Sequence, residues 1–368
     1  MSSSQSHLCC VNDFEKLAMT KLPKPAADYY RSGACGEHTL ELNKSAFQRL
    51  RIKPRVLRDV SVRDTTCEIL GNKINVPLGV SPAAMQKMAH HDGECGNARA
   101  VGEIGSIFIL STLSSSSLEE VAEAAPDTIK WFQLYIYKNR DLTVELVKRA
   151  ERAGYKALVL TVDANVFGIR YADTKNDFNL PAHLNLANFS GKESEMKADS
   201  GSALFHYTKT QFDSTVSWDD IKWLRQITDL PIVLKGIQCA EDALIAASIG
   251  VQAIMVSNHG ARQLDTAPAS IEILPEVAKA VGNKCEVYLD GGIRYGTDIF
   301  KALALGAKMV FIGRPAIWGL ACDGQRGVKK VLDILINELS ITLGLAGCNS
   351  LSDINANMVV HESYYSKL

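Results

Sequence analysis

Short apolar runs recur along the chain from about residue 75 onward. Each run is apolar at consecutive positions, which is the pattern of parallel strands whose two faces are both buried. Val, Ile and Leu are frequent in these runs, and more polar segments separate them. The pattern predicts eight strands, at residues 77–84, 106–112, 129–136, 157–164, 231–237, 253–259, 286–292 and 309–315.

Helical patterns fill most of the intervals between these runs. Their apolar residues recur at spacings of three and four, which places them on one face of a helix. Ser117 precedes Glu120 by three residues, a spacing that caps a helix at its amino end. Gly154 and Gly250 follow two of the patterns, where glycine commonly ends a helix. Helices are predicted at residues 93–104, 117–125, 142–153, 218–227, 240–249, 271–281 and 297–305.

This alternation of strands and helices predicts the fold class. Eight parallel strands joined by right-handed crossovers close into a single (β/α)8 barrel, the TIM barrel of α/β proteins. We predict that the barrel spans 75–360, after an amino-terminal extension at 1–74 and before a carboxyl-terminal tail at 361–368. The extension contains helical patterns at 13–20 and 24–32, and we expect it to close the bottom of the barrel or to reach round its rim.

One connection is much longer than the others. About 65 residues separate the fourth predicted strand from the fifth, whereas the loops of such crossovers are usually short. Residues 177–213 within this connection are polar and weakly periodic. We interpret this long insertion after strand 4 as a mobile lid or a subunit contact, since such loops often carry function. A tolerated surface insertion is the alternative.

Composition excludes several classes of protein. The chain of 368 residues has 40 Lys and Arg against 41 Asp and Glu, a net charge of −1, which argues against a nucleic-acid partner. Hydrophobic residues make up 46% and charged residues 22%, as in ordinary globular proteins. The nine cysteines are scattered without a CxxC pair, so reduced thiols are expected. No secretory signal and no membrane span are predicted.

The last three residues are Ser366, Lys367 and Leu368. At the extreme carboxyl terminus this tripeptide is the address that the peroxisomal import receptor recognises. Coincidence is the alternative, but we predict that the address is real and that the protein resides in the peroxisome.

Polar residues gather where the predicted strands end. In barrels of this kind the chemistry takes place at the carboxyl ends of the strands. A Lys or Asp in an apolar strand is destabilising unless it is paired or used, so several polar ends together indicate an active site. These residues are Ser111, Thr112, Gln133, Tyr135, Thr161, Asp163, Lys235, Ser257, Asn258, His259, Asp290, Gly291, Gly292, Gly313 and Arg314.

The ends of strands seven and eight predict a phosphate site. Residues 290–294 and 313–315 combine glycine backbone amides with the guanidinium groups of Arg294 and Arg314. Amides and guanidinium forks at these two strands are the usual phosphate ligands of the barrel. We expect no metal site, because the strand ends carry no cluster of metal ligands. His90 and His91 follow the first strand and are interpreted as part of a solvated loop.

His259 is the candidate base. It lies at the mouth of a strand close in sequence to Arg262, whose planar fork suits a carboxylate. Asp163 lies two strands away on the same rim and could hold the imidazole. Arg170 follows Asp163 by seven residues and could supply a second fork to the same substrate carboxylate.

Several of these residues belong to motifs that resemble those of a known enzyme family. The sequence SNHGARQLD at 257–265 resembles the signature of the FMN-dependent α-hydroxy-acid oxidases and dehydrogenases, the glycolate oxidase group. The similarity extends over nearly the whole chain and includes DYYRSGA at 28–34, AMQKMAH at 84–90 and QLY at 133–135. With the terminal tripeptide, the peroxisomal 2-hydroxyacid oxidases are the most similar members.

The resemblance implies FMN as cofactor and a role for each matching position. It implies that Tyr29, Tyr135, Arg170 and Arg262 bind the substrate, and that His259 is the base. Lys235 near the flavin would stabilise negative charge that develops there on reduction. The flavin contacts implied are Pro82, Ala83 and Ala84 through the backbone, Ser111, Gln133, Thr161, Lys235 and Ser257 to the ring and ribityl chain, and Asp290, Gly291, Gly292, Ile293, Arg294, Gly313 and Arg314 to the ribityl chain and phosphate.

Two departures from the family pattern concern the substrate. Leu113 stands where the family often has Trp, which should widen the pocket near the substrate tail. The family often has Asp-Thr-Pro after strand four, where this chain has Asp163-Ala164-Asn165 and then Phe167, which narrows the pocket elsewhere. We therefore expect a longer aliphatic or an aromatic substrate in preference to glycolate.

The function predicted is FMN-dependent oxidation of (S)-2-hydroxy acids to 2-oxo acids, with O2 reduced to hydrogen peroxide. A homotetramer is implied by the resemblance. The alternatives are a dehydrogenase that uses another electron acceptor and a barrel that binds flavin without catalysis. The complete set of predicted catalytic and substrate-binding residues argues against the second alternative.

Overall fold

The part of the amino-terminal segment that the structure describes, residues 8–74, contains three α-helices and three short strands. The computed structural model describes residues 8–367, without the side chains of Lys192 and Lys367. The helix Lys24–Arg31 (α2) begins after Pro23 and has Pro25 as its second residue. Proline is favoured there because its φ is already helical and it has no N–H that would need an acceptor. The elements are α1 (Val11–Lys21), α2 (Lys24–Arg31), α3 (His38–Gln48), β1 (Leu50–Ile52), β2 (Cys67–Ile69) and β3 (Asn72–Ile74).

Eight parallel strands follow and close into a barrel. Each strand pairs with the next in chain order, and the last pairs with the first through Val310 and Leu78. The predicted (β/α)8 barrel is therefore confirmed, with strands shorter than predicted because the polar residues at their ends leave the sheet. The strands are β4 (Leu78–Val80), β5 (Ile107–Leu110), β6 (Ile129–Leu134), β7 (Leu158–Thr161), β8 (Ile232–Ile237), β9 (Ala253–Val256), β10 (Glu286–Asp290) and β11 (Met309–Ile312).

Helices surround this barrel. Those over 218–227 and 240–249 have the predicted bounds, and the other predicted helices differ by one or two residues at an end. α13 was not predicted and is interrupted by non-helical backbone at Asp323 and Gly324. The other α-helices and the last strand of the described residues are α4 (Gly93–Glu103), α5 (Leu118–Ala124), α6 (Arg140–Arg152), α7 (Tyr171–Lys175), α8 (Ala203–Gln211), α9 (Trp218–Ile227), α10 (Ala240–Ile249), α11 (Ser270–Val281), α12 (Gly296–Ala304), α13 (Arg314–Ala346) and β12 (Val359–His361).

The amino-terminal segment packs on both ends of the barrel. Ile69 and Ile74 of the β2–β3 hairpin join the cluster of fully buried residues inside the barrel, and Glu286 at the start of β10 accepts the Leu70 N–H. This hairpin therefore covers the amino-terminal end of the strands. At the opposite rim, the Ala34 N–H donates to the Ala261 oxygen over 2.8 Å. The division of the chain at residues 74 and 360 stays a prediction.

The long insertion after β7 packs against the barrel through an apolar side. Leu186 and Met196 within it are buried, and the buried Asn188 amide donates to the Thr112 oxygen over 2.9 Å. The sequence pattern did not predict this packing, because the apolar residues of the insertion are widely spaced among polar ones. A role as a lid or a subunit contact stays a prediction. Among the helices of residues 8–367, none is long and apolar enough to cross a membrane.

Candidate active site

A cavity with about 1140 Å³ of empty space, part of it open to solvent, lies at the carboxyl ends of the barrel strands. Protein sites for cofactors and substrates commonly measure about 300–1,000 Å³. All eight strands contribute residues at or just after their carboxyl ends. Of the predicted site residues, Thr112, Asp163, Ser257 and Asn258 do not line the cavity, and the following do: Tyr29, Pro82, Ala83, Ala84, Ser111, Gln133, Tyr135, Thr161, Arg170, Lys235, His259, Arg262, Asp290, Gly291, Gly292, Ile293, Arg294, Gly313 and Arg314.

Asp163 lies directly behind His259. Its Oδ1 is 2.9 Å from His259 Nδ1, and its side chain is 4% exposed. Burial lowers the pKa of His259 below its usual value, and this effect outweighs the attraction of Asp163. Burial would raise the pKa of Asp163, but the attraction and hydrogen bond of His259 keep that pKa below its usual value. The pair is therefore a neutral imidazole with an ionised carboxylate at neutral pH, and the imidazole is able to accept a proton.

The backbone around this pair is specialised. His259 has a φ of 58°, in the left-handed region, where non-glycine residues are uncommon. Gly236 has a φ of 111°, and a Cβ on it would lie 2.6 Å from Asp163 Cγ. Glycine after Lys235 therefore leaves the space that the Asp163 carboxyl group occupies.

Lys235 is a buried cation beside this pair. Its Nζ donates to Ser257 Oγ over 3.0 Å and lies 3.6 Å from Asp290 Oδ2. The Asp290 carboxylate also accepts the Ser81 hydroxyl over 3.0 Å. Ser257 is fully buried, and its hydroxyl oxygen also accepts the His259 N–H over 3.0 Å. The Ser257 side chain therefore points to Lys235 and does not line the cavity, and its predicted flavin contact stays a prediction.

Two guanidinium groups lie over aromatic rings at the cavity wall. Arg262 Cζ is 4.7 Å from the centre of the Tyr29 ring, and Arg170 Cζ is 4.8 Å from that of Phe167. Burial and the repulsion of Arg262 lower the pKa of Arg170 to about 10. Arg170 stays charged at neutral pH, so two cations meet here and attract an anion.

Two tyrosine hydroxyls face the same space. Burial raises the pKa values of Tyr29 and Tyr135, so both phenols keep their protons. A hydrogen bond from the Arg262 side chain acts on the Tyr29 hydroxyl oxygen, which leaves the phenolic proton of Tyr29 free to donate. Among the hydrogen bonds of residues 8–367, none involves the Tyr135 hydroxyl. Both are available to a ligand.

The ends of β10 and β11 form a cationic cradle. Arg314 donates to the backbone oxygens of Tyr30, Gly260 and Ser32. Burial and the repulsion of Arg262 lower the pKa of Arg314 to about 9, still above neutral pH. The Nε atom of the buried Arg294 has no hydrogen-bond partner within the described residues. Glu15 Oε2 lies 3.9 Å from this Nε, whereas no carboxylate of the described residues forms an ion pair with Arg314.

This cradle fits the phosphate of FMN. A Cβ placed on Gly313 would meet no atom within 4 Å, so the backbone at the amino end of α13 is open to a ligand. Helix amino termini favour anions. Gly292 has a φ of 87°, and a Cβ there would lie 2.2 Å from the Asn43 oxygen. The guanidinium groups of Arg294 and Arg314 and the open backbone near Gly313 suit a phosphate. The small side chains of Ala83 and Ala84 leave room for a flat ring above the barrel.

Several residues of the cavity wall were not predicted from the sequence. Leu40, Asn43 and Lys44 of α3 line the cavity, and the amides of Asn43 and Asn258 exchange hydrogen bonds of 3.0 and 2.8 Å. No periodic signal predicted α3, because the helix contacts the barrel through mixed polar and apolar residues. Tyr30, Ser81 and Leu204 were also missed. Tyr30 and Ser81 lie next to predicted residues in the sequence, which is a signal that could have found them.

Comparison with known proteins identifies the family. The sequence profile described as FMN-dependent dehydrogenase matches residues 18–361. The chain belongs to this family. The predicted FMN cofactor and oxidoreductase class are thereby confirmed, as is the predicted family.

Individual members of the FMN-dependent dehydrogenase family are similar over almost the full length. 2-Hydroxyacid oxidase 1 of Homo sapiens is 48% identical over 358 residues, which cover 96% of each chain. Glycolate oxidase 5 of Oryza sativa subsp. japonica is 51% identical over 354 residues, again 96% of each chain. The crystal structure of mandelate oxidase with (S)-4-hydroxymandelic acid has a TM-score of 0.91 at 41% identity, covering 95% of this chain and 98% of that one.

A group of potential metal ligands lies apart from this cavity. The ligand atoms of His90, His91 and Asp92 lie within 4.8 Å of one another. None of the three lines the cavity, and the Asp92 carboxylate accepts the Gln325 N–H over 2.9 Å. The expectation that the active site uses no metal stays a prediction.

Proposed function

We propose that this protein oxidises (S)-2-hydroxy acids to 2-oxo acids and reduces O2 to hydrogen peroxide. One observation carries the proposal: the neutral imidazole of His259, held by Asp163, faces the same cavity as the guanidinium groups of Arg170 and Arg262. A 2-hydroxy acid presents a carboxylate for the cations and a proton for the base. The similar proteins named as 2-hydroxyacid oxidase, glycolate oxidase and mandelate oxidase support this substrate class.

The substrate is held by its carboxylate and hydroxyl groups. Arg170 and Arg262 bind the carboxylate, where planar forks give bidentate hydrogen bonds. The hydroxyls of Tyr29 and Tyr135 donate hydrogen bonds to the remaining polar oxygens. This arrangement turns the C2 carbon of the substrate toward His259.

His259 moves the proton. Asp163 holds Nδ1, which leaves Nε2 as the atom that accepts a proton when C2 is oxidised. The carboxylate then stabilises the imidazolium, which is the role of an acid beside a catalytic histidine. FMN, when bound, would supply the two-electron chemistry that links oxidation of the substrate to reduction of O2.

The remaining predicted residues hold FMN. Lys235, fixed by Ser257 and Asp290, places a positive charge beside the flavin ring. The backbone of residues 82–84 supports the ring, with polar groups from Ser111, Gln133 and Thr161 at its edge. The cradle of Asp290, Gly291, Gly292, Ile293, Arg294, Gly313 and Arg314 holds the ribityl chain and phosphate.

The pocket favours side chains larger than that of glycolate. Leu113 and Phe167 both line the cavity and are buried. A larger side chain gains contacts with these apolar walls that glycolate cannot make. If kcat/KM for glycolate equals or exceeds the values for 2-hydroxyoctanoate and mandelate, this specificity is refuted.

Two further proposals concern location and assembly. The terminal tripeptide Ser366-Lys367-Leu368 addresses the protein to the peroxisome through the import receptor; Leu368 lies outside the described residues. The preceding residues 361–366 are exposed, which supports access by a receptor. A fluorescent fusion with and without the tripeptide tests this address.

The protein forms a homotetramer, as the family resemblance implies, and light scattering of the holoenzyme tests that assembly.

The experiment that tests the function measures O2 consumption and hydrogen peroxide formation with a panel of 2-hydroxy acids. We expect equal amounts of peroxide and 2-oxo acid from the wild type. His259→Gln should keep bound flavin yet lose turnover by several decades, because the proton then has no positioned acceptor. Near-normal turnover by this variant would remove His259 from the mechanism. Reduction of an artificial acceptor without reaction with O2 would indicate a dehydrogenase instead.

A further inference from the structure

A second cavity lies beside the active site. It contains about 800 Å³ of empty space, part of it open to solvent, between residues 167–174 and 200–206. Phe167, Arg170 and Leu204 line both cavities. The second cavity therefore begins directly behind side chains that form the wall of the substrate site, and we call it the side pocket.

Large apolar side chains form part of the wall of the side pocket, together with the charged Arg170 and Asp173 and the polar Thr174, Ser200, Ser202 and His206. Besides Phe167 and Leu204, it is lined by Ile169 and Phe205. Ile169 is 52% exposed and Phe205 is 37% exposed, although both are apolar. Contact with an apolar ligand would remove this surface from water, which is favourable in proportion to the area buried.

The side pocket is adjacent to the groups that bind the substrate head. Arg170 Cζ lies 4.8 Å from the centre of the Phe167 ring, so a carboxylate bound by Arg170 is close to Phe167. The Phe167 ring also lies edge-on to His259, with 6.4 Å between the ring centres. Phe167, Arg170 and Leu204 therefore separate the head site from the side pocket, and a substrate tail that extended past Phe167 and Leu204 would enter the side pocket.

We propose that the side pocket binds the tail of unbranched aliphatic 2-hydroxy acids, with Phe205 and Ile169 as specificity-determining residues. This inference rests on the proposed function of the head site. A flexible alkyl chain can bend around the Phe167 ring, whereas a rigid aryl group attached to C2 cannot. The side pocket thus selects aliphatic over aromatic acids among the larger substrates.

The expected effect can be stated per methylene group. Burial of one methylene is worth about a fourfold gain in binding, so kcat/KM should rise by about this factor for each carbon that enters the side pocket. Acids too short to pass Phe167 gain nothing. Mandelate gains nothing from the side pocket either, because its ring stays in the main cavity.

The experiment compares kcat/KM for glycolate, 2-hydroxybutanoate, 2-hydroxyoctanoate, 2-hydroxydodecanoate and mandelate in the holoenzyme. Phe205→Asp places a charge on the wall of the side pocket. Thr210→Asp is the matched control, because Thr210 is exposed on the same helix and does not line the side pocket. Ser200 is exposed and lines the side pocket. Ser200→Trp therefore blocks the side pocket with a bulky side chain, which tests the proposal independently of an added charge.

We expect Phe205→Asp and Ser200→Trp to lower kcat/KM for 2-hydroxyoctanoate at least tenfold, with glycolate and mandelate within twofold of wild type. Thr210→Asp should match the wild type for every acid. An unchanged chain-length profile in both pocket variants would overturn the side-pocket proposal and leave the proposed function intact. An equal loss for all acids would also overturn it, because the variants would then act through the head site. Absence of turnover with every acid in the wild type would refute the proposed function itself.

Discussion

Replacing Asp163 by Asn removes a negative charge 2.9 Å from His259 Nδ1 and keeps the size of the side chain. An Asn amide can also donate a hydrogen bond to Nδ1. The ring proton then moves to Nε2, which is the atom that must accept the substrate proton. The substitution therefore acts on both the charge and the tautomer of the base.

The size of the effect follows from the distance. Unit charges centred roughly 4 Å apart attract by about 4 kcal/mol at an effective dielectric constant of about 20. This attraction develops only when His259 becomes charged, so it stabilises the transition state and not the resting enzyme. Its loss lowers kcat by about a thousandfold.

The pH profile gives a second, independent readout. Only the neutral imidazole accepts a proton, so kcat/KM rises with pH through the pKa of His259. The Asp163 carboxylate raises that pKa against the larger effect of burial. Removing the carboxylate therefore lowers the pKa, and the acid limb of the profile moves to lower pH in Asp163→Asn.

The assay is steady-state O2 uptake at saturating 2-hydroxyoctanoate, with flavin content measured by absorbance. Asp213→Asn is the control, because Asp213 forms an ion pair with Arg140 over 2.6 Å and does not line the cavity. We expect this control to keep kcat within about threefold of wild type. A flavin-loaded Asp163→Asn with kcat within threefold of wild type would refute the reasoning, as would an acid limb that moves to higher pH.

Three further outcomes follow from the same geometry. Arg262→Lys should raise KM about tenfold or more while flavin binding is unchanged, because a point charge cannot replace the fork; an unaltered KM would exclude Arg262 from the substrate site. Gly292→Ala should lower the melting temperature and FMN affinity more than Gly154→Ala does. Both glycines have positive φ, but an added Cβ meets the Asn43 oxygen only at Gly292; equal effects in a thermal melt would contradict the clash. Flavin-free protein should gain about 2.7 kcal/mol of stability at FMN concentrations 100 times the Kd, and a melting temperature independent of FMN would show that the cradle does not bind it.

Much of the barrel could be predicted from the sequence because its signals are local. Each buried strand is a continuous apolar run, and each surrounding helix has an apolar face, so periodicity was sufficient. The β2–β3 hairpin could not be predicted this way. Its strands have three residues each, and only Ile69 and Ile74 are fully buried, which is too short a pattern to recognise.

The site was predictable where residues face the cavity at strand ends. His259, Arg262 and Lys235 stand in distinctive sequence contexts, and the structure brings them to one cavity. The sequence does not show whether the Ser257 side chain, directly after β9, faces the cavity or the barrel wall. Its hydrogen bonds with Lys235 and the His259 N–H fix its orientation. Asn43 and Leu204 reach the cavity from distant segments, so tertiary packing alone places them there.

The most direct test mixes flavin-loaded enzyme with an (S)-2-hydroxy acid in the absence of O2 and follows the visible flavin absorption. We predict rapid bleaching in the wild type, one 2-oxo acid formed per flavin, and recovery of the colour when air is admitted. His259→Gln should bind the same flavin and stay yellow for many wild-type turnover times. Bleaching of this variant at the wild-type rate, or a wild-type protein that keeps its colour with every hydroxy acid, would contradict the account.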